Sequence, residues 1–170
     1  TTLSGKTPVG LNFIAGKEEQ DCVMNTCDIK TIFTSRVFIQ KAEIVEDPRM
    51  VFIEDIKEKT SKLEKLFTYF SCKIKSSQSL IQKYKEINAP DKTAIILFTS
   101  GSESHPKGVP LTNKNIYMSI QAFSTVFQPN PEDKVLGTLP FFHVFGFVVC
   151  LWLPLIMGMG AVFHPNPTDY

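Results

Sequence analysis

The apolar run Ala94-Ile95-Ile96-Leu97-Phe98 leads without a break into Thr99-Ser100-Gly101-Ser102-Glu103-Ser104-His105-Pro106-Lys107-Gly108-Val109. The run is short and ends in turn residues, so it reads as a buried strand. Beyond the loop, Ile116, Ile120, Phe123 and Phe127 recur at helical spacing, with Thr112 as the expected N-cap. A strand, a loop of hydroxyls and glycines with one lysine, and then a helix is an arrangement that holds phosphate. Gly101 and Gly108 allow an anion close to the backbone. Ser100 and Ser102 supply neutral donors, and Lys107 supplies a point charge. The loop departs from the Walker pattern, because its lysine precedes the last glycine and no hydroxyl follows. An ordinary polar turn between strand and helix is the competing reading. Glu103 is awkward for the phosphate reading, since a carboxylate repels phosphate unless Mg2+ or Lys107 lies between them.

The flanking pattern sets the fold class. Residues 5–12 predict a short strand, with Pro8 placing it at an edge or a strand start. Residues 16–27 have helical spacing, with Glu18, Glu19 and Asp21 early, where the helix dipole favours acids. Residues 29–34 predict a strand, and Ser35 caps a short helix over 36–42. Alternation at this pitch predicts an α/β fold, a mainly parallel, doubly wound sheet. After the loop, residues 128–133 predict a turn, 135–139 a strand, 145–157 a helix and 161–164 a strand.

Two tracts raise the question of a membrane. In residues 43–88, Ile56, Leu63, Leu66, Phe67, Phe70 and Ile74 form one apolar helical stripe, opposite Lys57, Lys59, Lys62 and Lys65 mixed with Glu54, Glu58 and Glu64. Such a helix can lie on an anionic bilayer. The favoured expectation is a stripe facing a core beneath a solvated face, because the acids cancel much of the charge. Residues 141–163 carry no formal charge and have the length of a membrane span. Pro154, Gly158, Gly160 and His143, and the division into helix and strand, argue instead for a segment central to a large core.

Composition excludes several classes. A net charge of +1 with 21% charged residues offers no electrostatic footprint for nucleic acid. An apolar fraction of 43%, with 14 Phe, argues against global disorder. Cys22, Cys27, Cys72 and Cys150 form no CxxC pair, and His105, His143 and His164 do not sit beside them at ligand spacing. No metal site is expected from protein ligands, and reduced thiols in a cytoplasmic setting are the plain reading. The first residues do not resemble a signal peptide, and the chain reads as starting inside a domain. His143 follows a strand end in Leu139-Pro140-Phe141-Phe142-His143-Val144-Phe145-Gly146, where open α/β sheets bind ligands. A hydrogen-bonded core histidine is the commoner outcome for an isolated His among aromatics. No Ser-His-Asp grouping and no paired carboxylates in an apolar setting stand out.

The loop from Thr99 to Val109 resembles the phosphate-loop signature of the AMP-forming acyl-adenylating enzymes, the superfamily of acyl-CoA synthetases, luciferases and peptide-synthetase adenylation domains. The tract from Leu139 to Gly146 resembles that family's second core motif, in the expected order and separation. Glu103 and Ser104 stand where the usual loop has Thr and Gly. Glu103 is similar to one branch, the acyl-acyl-carrier-protein synthetases and bifunctional 2-acylglycerophosphoethanolamine acyltransferase/synthetase proteins. The tracts Gly5-Lys6-Thr7-Pro8-Val9-Gly10-Leu11-Asn12-Phe13, Thr34-Ser35-Arg36, Ile53-Glu54-Asp55 and Leu153-Pro154-Leu155 are similar to that branch too.

The resemblance implies that residues 1–170 are part of the large N-terminal domain of an adenylate-forming ligase. ATP and Mg2+ would be its cofactors. A fatty acid would be activated as acyl-adenylate and passed to a phosphopantetheine thiol of acyl carrier protein, in preference to coenzyme A, feeding phospholipid acylation. Thr99, Ser100, Gly101, Ser102, Glu103, Lys107 and Gly108 would line the nucleotide site, with Lys107 and His143 the candidate catalytic residues and His143 bordering the acyl and pantetheine pocket. Ser104 would weaken nucleotide binding if its position requires positive φ, where a Cβ costs about 1 kcal/mol. The family's adenine, ribose and hinge motifs and its C-terminal lysine-bearing domain do not occur in these residues, so the fragment alone is expected to be inactive. A cytoplasmic location with peripheral contact at the inner face of the membrane completes the expectation. The alternative is a non-catalytic nucleotide- or partner-binding module on the same scaffold.

Overall fold

A computed structural model describes residues 5–76, 78–79, 82, 89–99 and 106–164. They fall into two compact units, one built from residues 1–12 and 86–170 and the other from 13–85.

In the 13–85 unit, α1 (Lys17–Thr26) buries Val23 and Met24. Strand β2 (Ile32–Thr34), helix α2 (Arg36–Lys41) and strand β3 (Met50–Phe52) follow. The two strands are parallel, Phe33 opposite Val51, so the expected strand–helix–strand crossover is present. The hydroxyl of Ser35 accepts the Phe38 N–H at 3.1 Å, which caps α2 as the sequence predicts. Asp47 then receives the Arg49 guanidinium at 2.8 and 2.7 Å and the Arg49 backbone N–H at 2.8 Å. The Arg49 side-chain hydrogen bonds, with its backbone N–H, hold the Asp47 carboxyl down at about 2. A carboxyl that ionises more easily folded than unfolded stabilises the fold above its unfolded value of 3.8, and this is lost as pH falls towards 2. Acid titration of unfolding should therefore show stability declining below about pH 4, with Asp47→Asn flattening that decline. An equally steep acid slope in Asp47→Asn would count against this pairing.

The predicted long helix of residues 56–74 is two helices, α3 (Ile53–Lys59) and α4 (Lys62–Ile74). Ser61 starts the second one: its Oγ accepts the Glu64 N–H at 3.1 Å, and Glu64 accepts the Ser61 N–H at 2.8 Å. This reciprocal capping box outcompetes helical continuity at Thr60 and Ser61. The expected core-facing stripe is also not found, because α4 buries none of its residues.

In the other unit, β4 (Thr93–Thr99) is central to a three-stranded sheet, between β1 (Val9–Gly10), parallel to it, and β5 (Lys107–Thr112), antiparallel. Ala94, Ile95 and Leu97 of β4 are buried, as the unbroken apolar run predicts. Helix α5 (Asn113–Phe127) covers them with Ile116 and Ile120, and Thr112 caps it by accepting the Asn115 N–H at 3.1 Å. A second parallel pair, β6 (Lys134–Gly137) and β7 (Gly160–Phe163), flanks the uncharged tract. That tract is a π-helix over Gly146–Trp152 continuing into α6 (Leu153–Met157). The Leu153 N–H bonds to the Val148 carbonyl, five residues back. Pro154 brings no N–H and crowds the preceding carbonyls, so the turn ahead of it widens. Phe147, Val148 and Leu153 complete the core with β4 and α5. No described helix is long and apolar enough to cross a membrane. Only part of the 141–163 tract is core: Phe142, residues 146–148, Cys150, Leu153 and Pro154 are buried, while Phe141, Val144, Phe145, Leu155, Ile156, Val162 and Phe163 are exposed.

Candidate functional site

The residues that bracket the proposed phosphate loop lie on a hairpin. Thr99 ends β4 and Lys107 opens β5, and the two are cross-strand partners. Both are exposed, so a hydroxyl and an ammonium stand side by side where the loop enters and leaves. A hydroxyl and an ammonium side by side are a donor pair that suits an anion. Ser100, Gly101, Ser102 and Glu103, with Ser104 and His105, lie outside the described residues.

The predicted order of strand, loop and helix is corrected in one respect. The six residues of β5 come between the loop and α5, so the helix N-terminus is at the far end of a strand from the loop. The Gly-Val-Pro-Leu stretch is tolerated as a strand because β5 is an edge, where Pro110 costs no inner ladder bond. The α5 N-terminus therefore does not lie beside Thr99 and Lys107, where the loop enters and leaves. Gly108 faces Phe98 across the hairpin, and a Cβ built on it would lie 3.0 Å from Phe98 Cζ and 3.2 Å from Cε1. Its bareness makes room for that ring.

His143 lies past the C-terminal end of β6 and is exposed, so the core-histidine reading does not hold. Its position comes from backbone bonds on both sides. The His143 N–H donates to the Pro140 carbonyl at 3.1 Å, and the His143 carbonyl accepts the Phe147 N–H at 2.9 Å. Its ring tilts against Phe142 at a centroid distance of 4.5 Å. Phe142 is buried, and its Cα lies 3.4 Å from where a Cβ on Gly10 would be. That same hypothetical Cβ would lie 2.6 Å from Leu97 Cδ2. Gly10 thus lets the second motif pack onto β1 directly beside the strand that delivers the loop.

Gly146 makes the closest approach of all. A Cβ there would lie 2.8 Å from the Leu139 oxygen and 2.9 Å from the Pro140 carbonyl carbon, with the Pro140 oxygen closer still. Neither glycine stands out in the sequence as a packing position, and the only available hint was its place inside a motif. Within the π-helix the Trp152 indole N–H is enclosed and has no acceptor among the described residues. A π-turn beside a candidate site is a recurrent association.

The two tracts Thr34-Ser35-Arg36 and Ile53-Glu54-Asp55 also meet, inside the 13–85 unit. Arg36 Nη2 donates to both Asp55 oxygens at 2.7 and 2.9 Å, and its backbone N–H reaches Glu54 at 3.2 and 3.3 Å. Its guanidinium also lies over the Phe52 ring, 4.1 Å from the centroid. Among the described residues no three His, Cys, Asp or Glu side chains group as metal ligands.

A family model described as AMP-binding enzyme matches residues 3–170. The chain is 38% identical over 89 residues to an oxalate–CoA ligase of Arabidopsis thaliana, which covers 52% of this chain and 17% of that protein. It is 42% identical over 60 residues to long-chain-fatty-acid–CoA ligase 5 of Rattus norvegicus, covering 33% of this chain and 9% of the other. The fold matches o-succinylbenzoate coenzyme A synthetase of Bacillus subtilis, solved in complex with ATP and magnesium ion, with a TM-score of 0.68 at 22% identity. That match covers 94% of this chain and 30% of that one. The matches span less than a third of each of these three proteins.

Proposed function

The chain belongs to the family of AMP-binding enzymes, and on that footing we propose that it supplies the phosphate-holding part of a ligase that activates a fatty acid with ATP. The observation that carries this reading is the hairpin that sets Lys107 beside Thr99 at the mouth of the loop. In the first step a carboxylate oxygen of the fatty acid attacks the α-phosphorus of ATP. The bond to the β-phosphate breaks, and pyrophosphate leaves with its electron pair. In the second step a phosphopantetheine thiol loses its proton and attacks the acyl carbonyl, and AMP leaves.

Lys107 neutralises the outer phosphates, and Thr99, with Ser100, Gly101, Ser102 and Gly108 of the loop, orients them. Magnesium, when bound, would spread the remaining phosphate charge. His143, exposed at the end of β6, borders the acyl and pantetheine side. The similarity to a long-chain-fatty-acid–CoA ligase supports a fatty acid as substrate. Glu103, with its likeness to the acyl-carrier-protein branch, supports a carrier-protein thiol over coenzyme A, and phospholipid acylation as the use of the product.

The full-length protein is expected to catalyse fatty-acid-dependent exchange of pyrophosphate into ATP, and then to discharge its adenylate faster to holo-acyl carrier protein than to coenzyme A. Absence of exchange with any fatty acid, alongside Mg-ATP binding in a calorimeter, would overturn the ligase reading in favour of a non-catalytic binding module. Discharge to coenzyme A alone would overturn the choice of carrier.

A further inference from the structure

Helix α4 presents five large apolar side chains to solvent. Leu63 is 78% exposed, Leu66 53%, Phe67 77%, Phe70 51% and Ile74 83%. At 3.6 residues per turn they fall on one face, within roughly 100° of the helix circumference. A contiguous exposed apolar face of this kind marks a contact surface. Capping and spacing make the helix, and among the described residues no packing partner covers it, since α4 buries none of its residues.

What surrounds the stripe decides its occupant. Lys62 and Lys73 border it on the Leu66 side by the same helical geometry, and the Lys73 ammonium lies 5.2 Å from the Tyr69 ring centroid. Lys57, Lys59, Lys65 and Lys75 add further positive charge along α3 and α4. The acids among them are mostly engaged. Asp55 and Glu54 are bound by Arg36, and Glu64 is held in the capping box of Ser61. An apolar stripe edged by Lys62, Lys73 and Tyr69, on a segment with six lysines against four acids over residues 54–75, is complementary to a lipid surface with anionic headgroups.

We propose that α4 lies in the plane of an anionic membrane surface, with Leu63, Leu66, Phe67, Phe70 and Ile74 among the acyl chains and Lys62 and Lys73 at the headgroups. The acids Glu54, Asp55, Glu58 and Glu64 offset part of the charge, and the six lysines of residues 54–75 leave the segment net positive. The helix docks in the interface and does not span it, since it has only 13 residues. This surface is independent of the ligase reading: it needs neither nucleotide nor a working active site.

The test is hydrogen exchange of the Lys62–Ile74 segment in the full-length protein, with vesicles of phosphatidylglycerol or of phosphatidylcholine alone. Exchange is expected to slow with the anionic vesicles, to recover at high salt, and to be unchanged by the neutral ones. Each lysine near such a surface is worth about a factor of five in binding, so Lys62→Gln with Lys73→Gln should weaken it roughly twentyfold to thirtyfold. Leu66→Ser with Phe70→Ser should weaken it about a hundredfold, and both residues are exposed, so the pair removes no core contact. Three outcomes would overturn the proposal. One is exchange that anionic vesicles leave unchanged. Another is a segment already protected without lipid, as it would be under another part of the protein. The third is protection that follows protein concentration, as in a dimer. Fatty-acid-dependent pyrophosphate exchange measured on the same variants separates failure here from failure of the ligase reading.

Discussion

Alanine at Gly146 is expected to destabilise the unit that holds the loop by about 1–3 kcal/mol, the usual cost of overpacking a tight core. Gly146 is buried, and the atoms in the way of a new Cβ are main-chain atoms of Leu139 and Pro140, which cannot swing aside as a side-chain tip can. The obstructed Pro140 carbonyl is also the acceptor for the His143 N–H, so relief of the clash must move His143. Both consequences are measurable. The denaturation midpoint of Gly146→Ala should fall with an unchanged slope, and, on the proposed reading, in the full-length protein the effect on KM for the fatty acid should exceed that on KM for ATP. Val144→Ala, at a residue 54% exposed, is the control and should stay within about 0.5 kcal/mol. A midpoint for Gly146→Ala equal to that control would refute the close-packing role. Gly10→Ala should be milder, because its nearest obstacle is Leu97 Cδ2, the end of a flexible side chain.

Lys107→Ala is expected to slow adenylation about a hundredfold in the full-length protein, equivalent to about 2.7 kcal/mol of transition-state stabilisation. On the proposed reading the charge to be stabilised is on ATP's outer phosphates, and the hairpin sets Lys107 beside Thr99 at the loop's mouth. Because Lys107 is exposed, the folded state should lose no more than about 0.5 kcal/mol, so the kinetic loss is not an unfolding loss. Lys107→Arg retains the charge and should recover part of the rate, with altered geometry. The measurement is fatty-acid-dependent ATP–pyrophosphate exchange. Unchanged exchange kinetics in Lys107→Ala would remove this residue from the site.

Much of the fold was legible because its signals are local. Ser35 and Thr112 cap the helices they were expected to cap, since an Oγ at that spacing reaches the N–H three residues on. The unbroken apolar run of β4 is buried where it was expected to be buried. The parallel pairs β2–β3 and β6–β7 follow from strands separated by helices. Errors arose where a competing local interaction won. Gly108 and Pro110 argue against a strand over residues 107–112, and the pairing with β4 creates one there. The helix over 56–74 broke because the Ser61–Glu64 capping box satisfied backbone donors better than continuation would.

For the candidate site, the sequence by itself determined only the inventory of residue types on offer: the hydroxyls, glycines, Glu103 and single lysine of the loop, and the aromatic tract that carries His143. Those are matters of residue type and order, which a linear chain records completely. Only the tertiary structure decided which backbones touch. Gly10 and Gly146 matter because Leu97, Phe142, Leu139 and Pro140 come within a Cβ's reach of them, and sequence distance does not encode that proximity. The stripe on α4 shows the same division. Its periodicity is visible in the residues, but whether a core or a solvent-facing surface receives it depends on what packs there, and among the described residues nothing buries it.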